Sequence, residues 1–223
     1  RQMCIRDRTN AISSLLKVPG ASNTILESYI PYSKKSMDLF LNRKPDHYCS
    51  LGTCLSMAAN AYKKCMQIDS SYETKYLIGV SVTASLATTY TKIGDHKFYI
   101  AVQTESYTKS IECILSKGSR TREQEEELIT EYVLSLLAEC CGIEKNNPHH
   151  DEEVILLTTK AEKSWKNLLN NKVNYISNDR ATPELIFPGS FNPLHEGHMK
   201  MRELAEKKTG TVSYTHLTLP TTD

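Results

Sequence analysis

KYLIGVSV, Lys75–Val82, is a near-continuous apolar run of strand length. Such a run suits a strand whose two faces are both covered, as in a sheet with helices on either side. Two further strands follow in HKFYIAVQT (96–104) and SYTKSIECIL (106–115), the second alternating Tyr107, Lys109, Ile111, Cys113 and Leu115 against polar neighbours. Upstream, NTILESYIPY predicts a strand from Thr24 to about Tyr32, and Met37 and Phe40 in KKSMDLFL have helical spacing. Ser50 can cap a helix whose apolar side reads Leu51, Leu55, Ala58, Tyr62 and Cys65. Downstream, Thr121 and Gln124 form a capping box for a helix with acidic residues in its first turn. Its stripe is Leu128, Ile129, Tyr132, Val133, Leu136 and Leu137, and Gly142 stops it. The fold class is α/β, in two units joined near residue 150.

Composition narrows the function. The 223 residues carry 27 basic and 26 acidic side chains, a net charge of +1 spread along the chain, which argues against a nucleic-acid or membrane-surface partner. No apolar run reaches the roughly 18 residues of a membrane span. Seven cysteines (4, 49, 54, 65, 113, 140 and 141) follow no paired metal or redox spacing and read as thiols of a reducing compartment, the cytoplasm. EKNNPHHDEE, from Glu144, reads as a linker in which His149 and His150 lack the further ligands a metal needs. A helix is expected around Ala161–Leu169, bearing Trp165. The ends, 1–8 (RQMCIRDR) and 211–223 (TVSYTHLTLPTTD), resemble translated sequencing-adapter strings and are set outside the fold.

Near the carboxyl end, ELIFPGS is expected to be a short buried strand and EGHMKMRELAEKK a helix. Between them lies GSFNPLHEGH, Gly189–His198, where α/β folds place ligands: after a strand and before a helix. Gly189 admits close backbone approach and Pro193 stiffens the turn. His195 and His198 are three apart rather than four, with Glu196 as the lone acid between them, which argues against zinc; no metal ligand set is assigned.

IFPGSFNPLHEGH resembles the H-x-G-H nucleotidyltransferase superfamily, most of all the nicotinamide or nicotinate mononucleotide adenylyltransferases and cytidylyltransferase-like domains. The likeness covers about Leu185–Lys208 and implies the first strand and helix of a truncated Rossmann-like domain, 183–210. It implies transfer of a nucleotidyl group from a nucleoside triphosphate to a phosphorylated small-molecule acceptor, with release of pyrophosphate. His195 and His198 would be the catalytic donors to the α-phosphate in the transition state. Gly189, Ser190, Phe191, Asn192 and Gly197 would bind the nucleotide, with Mg²⁺ held mainly through the triphosphate. The family's second phosphate-binding segment, of I-S-S-T-S type, is not found, so transfer is expected of a longer parent rather than of these 223 residues.

KVPGASNTILESYIPYS, YLIGVSVTASLAT and KFYIAVQT resemble the C-terminal domain of the CinA family, whose active members are nicotinamide-nucleotide amidases. The likeness sets a first domain at 9–146, with 147–182 as linker and helix. Tyr32 matches the family's strand-end tyrosine, but Met37 stands where a lysine is expected. The nucleophilic serine would fall near Ile5, and the glycine-rich loop reads Val82–Ala87 without its glycines. The expected ligand residues are Tyr32, Thr83 and Ser85. The resemblance leaves two alternatives to nucleotidyl transfer: an amidase, or a non-catalytic domain that binds a partner, a nucleotide-like ligand or, as a homo-oligomer, a second copy of itself.

Overall fold

A computed structural model describes residues 2–5, 9–68, 71–90, 93–144, 148–174, 176 and 196–210. In chain order the elements are β1 (Gln2–Ile5), α1 (Thr9–Leu16), β2 (Glu27–Tyr29), α2 (Lys34–Leu41), α3 (Leu51–Ile68), β3 (Gly79–Ser85), β4 (His96–Gln103) and β5 (Tyr107–Leu115). They continue with α4 (Arg122–Cys140), β6 (Val154–Lys160), α5 (Lys163–Leu169) and α6 (Glu196–Thr209). The strands form one sheet in the order β2-β1-β3-β4-β5-β6. Its first three strands are parallel and β3 to β6 run antiparallel.

Strand parity decides which helices cover the sheet. Val82 lies opposite Ile100, which lies opposite Ile111, so one row of β-branched side chains crosses three strands on one face. That face also carries Val80, Ala84, Phe98, Val102, Cys113 and Leu115, and α1 and α4 bury it with Ala11, Ile12, Leu128, Ile129, Tyr132, Val133 and Leu136. The opposite parity sends Tyr99 and Ala101 against Cys54 and Ala58 of α3. Outside α3, Met57 and Ala61 pack on Met37 and Leu41 of α2. β3 is therefore buried on both faces, as its apolar run predicts. The two fully buried polar side chains on its α3 face are satisfied locally: the Ser81 hydroxyl donates to the Cys54 carbonyl at 2.6 Å and Thr83 to that of Tyr48 at 3.0 Å.

The helix signals act as read. Ser50 Oγ accepts from the Thr53 amide at 3.3 Å. Thr121 and Gln124 close a reciprocal capping box at the start of α4, and Gly142 takes φ 70° just past its end. Thr121→Ala is expected to cost about 1 kcal/mol of stability, measured by urea unfolding, because the Gln124 amide loses its acceptor.

Several boundaries differ from expectation. β3 begins at Gly79, because Thr74–Tyr76 form a 3-10 turn. β2 is only Glu27–Tyr29, since Ala21–Asn23 also turn. α3 buries Cys54, Met57 and Ala61 as well as Ala58, Tyr62 and Cys65, because it is sandwiched between sheet and α2 rather than packed on one side. Gln2–Ile5, set outside the fold on sequence grounds, is the strand that bridges β2 to β3. β6 escapes the sequence reading, yet it pairs with β5 along seven residues, so the sheet runs past the boundary expected near 146.

The chain divides into two compact units, Arg1–Lys166 and Asn167–Asp223. In the second, α6 occupies the stretch expected to be helical and has no buried residue; Arg202 and Glu206 pair along it at 3.3 Å. The expected strand ELIFPGS lies outside the described residues. No described helix is long and apolar enough to cross a membrane.

Candidate functional site

At the carboxyl end of β3 the chain leaves the sheet through Leu86 and Ala87 and returns at His96, the first residue of β4. His96 lies opposite Leu115, the last residue of β5, and from there Ser116–Thr121 lead into α4. Between these two connections lies a cleft of about 640 Å³, walled on one side by Ala87–Tyr90 and on the other by Lys117, Gly118 and Arg120–Arg122, with His96 between them.

One buried carboxylate organises this end of the sheet. Glu125 is fully buried in the first turn of α4. One of its oxygens accepts from the Ala87 amide at 2.8 Å, and the other lies 2.7 Å from His96 Nδ1. This contact uses Nδ1 and leaves Nε2 as the nitrogen through which His96 can meet a ligand. Arg122 Nη1 donates to the Ala87 carbonyl at 3.0 Å. The first turn of α4 thus grips both polar groups of Ala87 and fixes the start of the connection from β3 to β4.

The opposite wall is held differently. Lys117 donates to the Ile93 carbonyl at 2.9 Å, with Asp95 at 3.8 Å. Arg120 makes a two-pronged bond to Glu152, at 2.5 and 2.9 Å. That arginine holds the Glu152 carboxyl down at about 2, against its ordinary 4.5, and Glu152 in turn raises Arg120 above the usual arginine value. A depressed carboxyl contributes its full stability above its unfolded value and loses it as the pH falls towards the folded one. Glu152→Gln is therefore expected to be less stable than wild type at pH 7, with the difference closing between about pH 4.5 and 2 in urea unfolding.

The residues expected from the sequence stand elsewhere. Thr83 is fully buried on the α3 face, its hydroxyl engaged by Tyr48. Ser85 ends β3, half-buried, and Tyr32 is exposed in the connection from β2 to α2. None of the three lines the cleft. Met37, at the family's lysine position, is a core residue against α3. His150, expected in an exposed linker, has a side chain only 2% exposed and contacts Tyr132 Oη and Glu152. Of the H-x-G-H segment, Gly197 and His198 lie in the first turn of α6, whereas Gly189, Ser190, Phe191, Asn192 and His195 lie outside the described residues. No cluster of three metal-ligating side chains occurs among the described residues.

The chain is similar in fold to crystal structures of the competence-damaged protein (CinA) superfamily. A superfamily protein from Escherichia coli is 10% identical at a TM-score of 0.50, covering 62% of this chain and 79% of its own. One from Enterobacter cloacae is 14% identical at 0.50, covering 62% and 80%. The competence damage-inducible protein A (ComA) from Klebsiella pneumoniae is 12% identical at 0.51, covering 64% and 86%. At such identities the likeness establishes the fold alone. No protein-family model and no curated protein matches the chain.

Proposed function

We propose that the sheet unit is a CinA-type domain that binds a phosphorylated, nucleotide-type ligand in the cleft at the carboxyl end of β3. The observation that carries this reading is the convergence of Lys117, Arg120, Arg122 and His96 on one cleft, while the Glu125 carboxylate is turned inward onto Ala87 and His96. Guanidinium groups match phosphate oxygens in charge and in planar donor geometry. The volume lies in the range of small-ligand sites, and strand ends in α/β folds are where such ligands sit. Binding is preferred to amide hydrolysis because His96 and Glu125 supply an oriented base, whereas the resemblance places its nucleophile near Ile5, where no serine stands.

Calorimetric titration with nicotinamide mononucleotide and with nicotinamide riboside tests this. The nucleotide should bind at least about tenfold more tightly than the riboside, and Arg122→Ala should remove most of that difference, about 1.4 kcal/mol. Equal affinity for the two, or no binding of either, would count against the cleft.

A second reading concerns a parent that continues beyond this chain: nucleotidyl transfer through H-x-G-H. It is favoured by α6 beginning at Glu196, which sets Gly197 and His198 in the first turn of a helix, as that signature requires. In such a parent His198→Ala should lower pyrophosphate release from a nucleoside triphosphate about a hundredfold or more. Turnover within threefold of wild type would remove His198 from that role.

A further inference from the structure

We propose that Glu152 is a positioning residue of the cleft: from the segment between α4 and β6 it sets Arg120 and the loop Ser116–Thr121 in the arrangement that receives the ligand's phosphate. This rests on the cleft being the ligand site.

A single carboxylate fixes both ends of that loop. Glu152 Oε1 accepts from the Ser116 amide at 3.1 Å, directly after β5, and both oxygens take Arg120 four residues later. Within the loop, the one backbone bond is from the Ser119 amide to the Ser116 carbonyl, at a long 3.4 Å, and Gly118 turns it at φ 79°. Apart from the Lys117 bond to the Ile93 carbonyl and the capping box at Thr121, its shape is set by Glu152. Glu152 is itself over-determined: its side chain is 7% exposed, its carboxylate lies 2.9 Å from His150 Nδ1, and His150 Nε2 meets the Tyr132 hydroxyl on α4. A guanidinium has five N–H donors in a rigid plane. With Nη1 and Nη2 each directing one hydrogen to Glu152, the plane is fixed and the remaining donors are those a phosphate can use.

Charge and position predict opposite signs, so the test is decisive. If Glu152 acted only as a nearby negative charge, its removal would tighten anion binding. If it positions Arg120, its removal weakens binding in spite of the lost repulsion. Inorganic phosphate and nicotinamide mononucleotide are titrated into wild type, Glu152→Ala, Glu152→Gln and the swapped pair Arg120→Glu/Glu152→Arg, with thermal unfolding of each.

Positioning predicts that Glu152→Ala binds both ligands about tenfold more weakly. Glu152→Gln, which keeps an acceptor for Ser116 or Arg120, should lose about threefold. The swapped pair should recover melting temperature without recovering binding, because the cation then projects from the wrong side of the loop. Equal or tighter binding by Glu152→Ala overturns the proposal, and Glu152→Gln decides the same question if the alanine variant does not fold. No binding of either ligand by wild type would instead remove the cleft reading, and this inference with it.

Discussion

Gly79→Ala is expected to prevent or severely weaken folding. A Cβ at this first residue of β3 would lie 2.3 Å from the Ala58 carbonyl oxygen, 2.4 Å from the Tyr62 amide nitrogen and 2.9 Å from Tyr62 Cα. All three are backbone atoms of α3, so no side-chain rotation relieves the contact and the helix must lift off the sheet. α3 contributes to three apolar clusters, with β4, with α2 and with Leu77. Displacing it therefore loosens packing on its whole side of the sheet. Overpacking of side chains ordinarily costs about 1 to 3 kcal/mol. A backbone clash inside a two-faced helix should exceed that, against a typical domain stability of about 5 to 15 kcal/mol. Urea unfolding and near-ultraviolet circular dichroism check it, and a cooperative transition within about 1 kcal/mol of wild type would show that α3 does not approach β3 this closely.

Glu125→Ala is expected to cost about 3 to 5 kcal/mol. Replacing a buried charge by an apolar group is not always harmful, and the sign here is set by what remains. Without the carboxylate, the Ala87 amide loses its acceptor and His96 Nδ1 its partner, and a cavity opens at a fully buried position. Glu125→Gln keeps one acceptor oxygen but cannot accept from both partners, so it should lose about half as much. Because Ala87 and His96 both line the cleft, either variant should also weaken nucleotide binding more than it perturbs the opposite face of the sheet. A loss below about 1 kcal/mol for Glu125→Ala would mean that the pair does not hold the loop.

Much of the fold is legible where one physical rule acts alone. The two-sided burial of β3, the alternation of β5 and the capping box of α4 each follow from residues a few positions apart. β6 is not legible in this way: Pro148 and the acids before it mask VILLTTK, and only the pairing with β5 identifies it as a strand. The α3 stripe is read too narrowly because a helix covered on two sides has no single apolar face.

The cleft was harder to foresee. Thr83 and Ser85 are reasonable candidates from their place near a strand end, but parity turns Thr83 towards α3 and its hydroxyl is taken by Tyr48. The lining residues of the cleft come from two connections distant in sequence, β3 to β4 and β5 to α4, brought together by the antiparallel return of β4 and β5. Two signals were present. A histidine opens the strand HKFYIAV just before its apolar run, and Lys117, Arg120 and Arg122 crowd around a capping box whose following glutamate reads as a surface acid when it is in fact buried.

The central claim, that this cleft takes the phosphate of a nucleotide-type ligand, is tested most directly by following backbone amide shifts while nicotinamide mononucleotide is titrated into the protein. The account predicts saturable movement concentrated at Ala87–Tyr90, His96 and Lys117–Arg122, largely abolished in Arg122→Ala. Saturable binding that leaves those amides unmoved would contradict it.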